Sequence, residues 1–75
     1  MVSAFVLVAC EEGTATGVVE GARAVSSVAA VDAVLGPYDI VMRVDGGDVH
    51  EVARAVVNEI QSIPGVIRTD TCALL

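Results

Sequence analysis

The order of apolar patterns along this chain predicts an α+β fold with four strands and two helices in the order βαββαβ. Val2–Ala9 is almost continuously apolar, which is typical of a strand covered on both faces. Val49–Ile60 instead repeats its apolar residues at helical spacing. With 75 residues, the chain is expected to form one small domain over 1–75. A core of that size is marginal, so a partner subunit is expected to add to it.

The first half of the chain contains the first helix and two further strands. After the turn at "EEGT", apolar residues recur at helical spacing between Ala15 and Val25, and Thr14 is available as the N-cap. Val28–Leu35 reads as the second strand and Tyr38–Val44 as the third. Gly36–Pro37 forms the tight turn between them, because Gly tolerates positive φ and Pro fixes its own φ.

The second half contains the clearest helix and the last strand. Val49–Ile60 has valine, alanine and isoleucine on one side and polar residues on the other. Asp48 and Glu51 form a variant capping box at its start. The sequence "IPG" ends the helix, and Val66–Leu75 supplies the fourth strand.

Two right-handed βαβ crossovers that share one sheet give the ferredoxin-like arrangement. Its antiparallel sheet has the strand order 4-1-3-2, and both helices lie on one face. The first strand is apolar in both of its alternating sets, whereas helices can cover only one of them. The other set would leave an apolar patch exposed, so we expect a second sheet from an identical subunit to cover it. The expected assembly is therefore a homodimer of the dimeric α+β barrel type.

Charge and cysteine usage exclude several classes of function. The net charge of −6 argues against binding to nucleic acid, and no apolar run is long enough to span a membrane. We expect a cytoplasmic protein. Cys10, Cys72 and the single His50 do not have metal-ligand spacing, so no metal or cofactor is expected. In the antiparallel pairing of strands one and four the two cysteines lie several residues apart, which predicts free thiols.

Four polar residues stand out from the strands. Tyr38 and Asp39 are adjacent, and should therefore point to opposite faces of the third strand. Thr69 and Thr71 are two apart and should lie side by side on one face of the fourth. Each pair also fits a purely structural role, since Thr favours strands and Asp is common in turns.

Taken together, "AFVLV", "GPYDIVMRV", "EIQSIPGV" and "RTDTCALL" resemble the amino-acid-binding (RAM) domain of the Lrp/AsnC regulators over essentially the whole chain. The chain is similar to the stand-alone form, which lacks a helix-turn-helix domain. The resemblance implies a dimer formed through the sheets, further assembly into rings, and an amino-acid effector in clefts between dimers. It places ligand-binding positions at Gly36, Tyr38, Asp39, Thr69 and Thr71. Leu35 departs from the family, which often has a hydroxyl residue there, and is expected to alter ligand affinity or preference.

Two other classes of function fit the same topology. One is a structural module that docks onto a DNA-binding Lrp/AsnC regulator and tunes its assembly without a ligand. The other is a small dimeric α+β-barrel enzyme, which would need a positioned acid or base. The only histidine, His50, is expected to be solvent-exposed near a helix start, and no nucleophile–base pair is evident, so a non-catalytic protein is predicted.

Overall fold

The computed structural model describes residues 1–75 and has the predicted order of elements. The strands are β1 (Val2–Cys10), β2 (Val28–Ala33), β3 (Ile40–Gly46) and β4 (Val66–Ala73). The helices are α1 (Ala15–Arg23) and α2 (Val49–Ala55). Directly after α2 the chain forms a π-helical segment, Val56–Ile60, called the π turn below. None of the helices is both long enough and apolar enough to cross a membrane.

The four strands form one antiparallel sheet in the order β2-β3-β1-β4. This confirms the predicted order 4-1-3-2, read from the other edge. β1 lies in the centre, with Val8 opposite Ile40 on β3 and opposite Thr69 on β4. The two central strands, β1 and β3, each supply three residues of the core, whereas β2 supplies one and β4 none.

Alternation along β1 divides its side chains between two environments. Ala4, Val6 and Val8 are fully buried beneath the helices. Phe5, on the opposite face, remains 43% exposed. The helices therefore cover only one face, as predicted, and the uncovered one is called the open face below. Fourteen residues form the core: Ala4, Val6, Val8, Val18, Ala22, Val31, Ile40, Met42, Val44, Val52, Ala55, Val56, Ile60 and Ile63.

The two helix starts differ from each other. Asp48 has extended backbone and accepts a hydrogen bond from the Glu51 N–H at 2.8 Å, while the Glu51 carboxylate accepts one from the Gly47 N–H. The predicted capping box is thus confirmed. Thr14 occupies the predicted N-cap position of α1, but its hydroxyl donates to the Glu11 carbonyl at 2.6 Å and caps no helical N–H. Thr14 has a helical backbone, whereas capping side chains usually project from an extended residue.

Several strand ends differ from the sequence prediction. β2 ends at Ala33 and β3 begins at Ile40, so Tyr38 and Asp39 belong to the connecting turn and not to a strand. Pro37 accounts for part of this, since it has no N–H to continue the ladder. β4 ends at Ala73, two residues before the predicted end.

The register of β1 and β4 keeps the two cysteines apart. Cys10 lies opposite Val66, whereas Cys72 lies opposite Phe5 near the other end of β1. Both thiols are free, which confirms the prediction.

Candidate functional site

The turn between β2 and β3 holds Asp39 by three hydrogen bonds. Its N–H donates to the Val8 carbonyl at 2.9 Å, and its carbonyl accepts from the Val34 N–H at 2.9 Å. Its carboxylate oxygen Oδ2 accepts from the Cys10 N–H at 2.8 Å. The Asp39 carboxylate, although exposed, is therefore anchored to the end of β1 through the Cys10 N–H.

Tyr38 lies in the same turn and reaches across the sheet to β4. Its hydroxyl donates to the Asp70 carboxylate and accepts from the Arg68 guanidinium at 3.3 Å. The Arg68 Cζ atom lies 5.3 Å from the centre of the tyrosine ring, within range of a cation–π contact. Arg68 and Asp70 lie opposite Ala9 and Leu7 of β1, which places this cluster on the open face.

Thr69 and Thr71 lie on the other side of the sheet. Their cross-strand neighbours are Val8 and Val6, which are buried beneath the helices, so both threonines face the helical layer. The Thr69 hydroxyl accepts a hydrogen bond from the Gln61 amide at 2.9 Å. The predicted side-by-side placement of the two threonines is confirmed.

The two threonines line a groove between β4 and the helix that follows β3. The groove has a volume of about 240 Å³, and seven of its ten lining residues are hydrophobic. Its lining residues are Val2, Val49, Val52, Ala53, Val56, Val57, Gln61, Thr69, Thr71 and Ala73. None of them carries a charge, so this surface suits an apolar group with a few neutral hydrogen-bonding partners.

The sequence-predicted positions thus form two groups within one chain. Tyr38 extends over the open face and Asp39 is tied to the end of β1, while Thr69 and Thr71 line the groove on the helical side. Gly36 is exposed in the turn. One chain does not bring all five residues into a single cluster.

Sequence reasoning missed three polar partners of these residues. Arg68 and Asp70 belong to the second alternating set of "RTDT", and this spacing could have identified them as the open-face partners of a nearby aromatic. Gln61 comes directly after the predicted helix Val49–Ile60, and no motif in the sequence singles it out. Its contact with Thr69 depends on the π turn, which no helical period predicts.

Cys10 lies beside the Asp39 turn. Burial raises the pKa of its thiol, a hydrogen bond with Thr14 lowers it, and the Asp39 carboxylate raises it again by charge repulsion and a hydrogen bond. The net change is upward, so the thiol stays protonated at neutral pH. The chain has no group of three His, Cys, Asp or Glu side chains placed to hold a metal ion.

A model of the Lrp/AsnC ligand binding domain matches residues 3–75. The chain belongs to this family. The resemblance seen in the sequence is thereby confirmed, and the Lrp/AsnC ligand binding domain has a fold of the observed topology. A comparison with curated proteins found no match.

Several solved structures superpose closely on the chain. TTHA0845 from Thermus thermophilus is 36% identical, with a TM-score of 0.94 over 100% of this chain and 94% of that one. The hypothetical protein PHS023 from Pyrococcus horikoshii is 25% identical, with a TM-score of 0.92 over 100% of this chain and 90% of that one. The transcriptional regulator NMB0573 from Neisseria meningitidis, solved with L-Met, is 20% identical. The match covers 99% of this chain and 49% of that one, with a TM-score of 0.87, and shows the fold alone.

Proposed function

We propose that this Lrp/AsnC domain is an amino-acid-binding regulatory module that works as an oligomer and holds each effector in a cleft between subunits. The observation that carries the proposal is the separation of two complementary polar groups within one chain. The Asp39 turn lies at the end of β1, and the threonine-lined groove lies on the helical side. The turn of one subunit placed at the groove of another provides all the groups that an α-amino acid requires.

The chemistry of the two groups is complementary to an amino acid. The effector's ammonium group donates a charge-assisted hydrogen bond to the Asp39 carboxylate. The acceptor is the carboxylate oxygen that is not bonded to the Cys10 N–H. The hydroxyls of Thr69 and Thr71 donate to its carboxylate. Pro37 has no N–H, so any backbone donors in the turn come from Gly36 or Tyr38.

The open face supports assembly. Phe5 is 43% exposed there, and its neighbours on β1 and β3, Leu7 and Val41, are only half-buried. A second copy packed against this face would remove the patch from water, as sheet-on-sheet packing does in general. We propose that further pairing of such dimers into a ring places the turn of one subunit next to the groove of another.

The class of effector is supported by the family and by one structural neighbour. The family model is that of a ligand binding domain, and NMB0573 has been solved with L-Met. An amino acid is therefore the first ligand to test on this chain. The role of the chain would then be to control transcription or metabolism in response to that amino acid.

A thermal-unfolding screen of the twenty amino acids tests this function. A ligand that binds only the folded state stabilises it by RT ln(1 + [L]/Kd), which is about 2.7 kcal/mol at a hundredfold excess over Kd. We expect at least one amino acid to raise the unfolding temperature of the assembled protein. If none does so at millimolar concentration while the assembly remains intact, the effector role is refuted.

That negative outcome would favour a second candidate, a structural module that docks through its open face onto a DNA-binding Lrp/AsnC regulator. This alternative requires only the apolar patch around Phe5. Direct DNA binding is no part of either proposal, because the net charge of −6 would repel phosphates. Catalysis is not proposed either, since the one histidine, His50, lies exposed in the first turn of α2.

A further inference from the structure

The groove beside β4 exists because two helices cannot cover four strands. α1 packs over β2, and α2 packs over β3 and β1. The inner face of β4 therefore lies beyond the helical layer. Its residues there are small, namely Thr69, Thr71 and Ala73, so a space remains between β4 and α2.

The π turn shapes the far wall of this groove. The Gln61 N–H donates to the Val56 carbonyl at 2.9 Å, five residues back, so the helix is one residue wider here than an α-helical turn. Gln61 reaches Thr69 from this position, and Val57 is left 57% exposed at the groove. Wider turns of this kind often occur at functional sites.

The lining of the groove restricts what can enter it. The polar groups, Gln61, Thr69 and Thr71, are all neutral, and the other seven residues are valine or alanine. A charged side chain placed against the valine and alanine residues would lose water without gaining a counter-ion or a hydrogen bond, which is strongly unfavourable. The volume of about 240 Å³ lies below the range of roughly 300 to 1,000 Å³ that accommodates drug-sized ligands. The space therefore suits a small aliphatic group.

We infer that this groove receives the effector's side chain and selects an amino acid with an uncharged aliphatic side chain, such as leucine, isoleucine, valine or methionine. The inference rests on the proposed amino-acid-binding function. The side chain lies against Ala53 of α2 and Val57 of the π turn. The effector's carboxylate stays at the Thr69 and Thr71 hydroxyls, at the polar edge of the groove.

Calorimetric titration of the assembled wild-type protein with L-leucine, L-lysine and L-aspartate tests this specificity. Ala53→Leu fills the groove from α2 at a position that is exposed in the chain and suits a helix former. Asn58→Leu introduces the same side chain at an exposed position of the π turn that lies outside the groove, and serves as the matched control. Thermal unfolding of both variants verifies that they are folded.

We expect wild type to bind leucine and to show no binding of lysine or aspartate under the same conditions. Ala53→Leu should weaken leucine binding by about tenfold to a hundredfold, the factor for an aliphatic side chain that can no longer leave water. Asn58→Leu should bind like wild type.

Two results would overturn the inference while the proposed function stands: lysine or aspartate binding as tightly as leucine, or Ala53→Leu leaving leucine affinity unchanged. If no amino acid binds to the intact assembly, the inference and the proposed function are both refuted.

Discussion

Asp39 illustrates how one residue serves both fold and site. Its Oδ2 atom accepts from the Cys10 N–H, which fixes the turn against the end of β1. The proposed contact with an effector uses the other oxygen. Asp39→Asn separates the two roles, because an amide oxygen still accepts from Cys10 while the negative charge is lost.

Asp45 is the residue whose titration the structure predicts most directly. The Ser3 hydroxyl donates to its carboxylate at 2.7 Å, and the Arg43 Nε atom lies 3.1 Å from the Asp45 Oδ1 atom. The hydrogen bond from Ser3, followed by that from Arg43, lowers the pKa of Asp45 below its ordinary value. A carboxylate with a lowered native pKa stabilises the fold above its unfolded pKa of about 3.9, and this contribution disappears as the pH falls through the native pKa.

We therefore expect Ser3→Ala to lower the urea midpoint of unfolding at neutral pH, and this deficit to shrink when Asp45 is protonated in acid. Ser62→Ala is the control. Its hydroxyl donates to the Asn58 carbonyl at 2.9 Å, and that acceptor does not titrate. A Ser3→Ala deficit as large in acid as at neutral pH would show that Asp45 is not its cause.

At the scale of elements, the chain holds the start of α1 close to the start of β4. The Glu11 N–H donates to the Gly65 carbonyl at 2.8 Å. Gly65 has a φ of 101°, and a Cβ at this position would lie 2.6 Å from the Thr14 hydroxyl oxygen. Only glycine permits both the backbone conformation and the close approach.

Gly13 offers a matched comparison, since its φ is 82° but a Cβ added to it would have no neighbouring atom within 4 Å. Gly13→Ala should lower the free energy of unfolding by roughly 1–2 kcal/mol, because alanine is disfavoured in the left-handed backbone conformation. Gly65→Ala should cost more, because Thr14 must also move. If a denaturant titration shows that both variants lose the same free energy of unfolding, the contact with Thr14 does not contribute to the cost of Gly65→Ala.

The sequence was sufficient for the order of elements, the sheet topology and the capping box at Asp48, because each depends on local periodicity or a short motif. It was insufficient for the π turn and for the start of β3, where tertiary hydrogen bonds decide the backbone conformation. Tyr38 was expected on a strand face, yet it lies in a turn and binds a residue 32 positions away. The Thr69–Thr71 pair was predicted correctly, whereas its partner Gln61 depends on a helical widening with no simple sequence signal.

At the scale of the whole molecule, the central question is what covers the open face. Phe5 lies there, in the middle of β1. We expect Phe5→Asp to dissociate the assembly, because its charge would have to be buried between two sheets. Leu35→Asp is the control, since Leu35 is fully exposed in the β2–β3 turn and lies off the sheet.

Sedimentation equilibrium at micromolar concentration decides this point. Wild type and Leu35→Asp should sediment as dimers or larger species, and Phe5→Asp should shift towards the monomer. A folded wild-type monomer under these conditions would remove the basis for a shared cleft.

The most direct test of the shared cleft mixes two defective subunits, Asp39→Asn and Thr71→Val. Each variant alone should bind the best amino acid from the screen weakly, because every site lacks one of its two groups. The two variants are unfolded and refolded together, and native mass spectrometry verifies that mixed assemblies form. In such assemblies some clefts combine the intact Asp39 of one subunit with the intact Thr71 of another.

Calorimetric titration of the mixture then measures the number of high-affinity sites. If each cleft takes its turn and its groove from different subunits, random mixing should restore about a quarter of the wild-type sites. Mixed assemblies that bind no better than either variant alone, while wild type binds normally, would contradict a cleft built from two subunits.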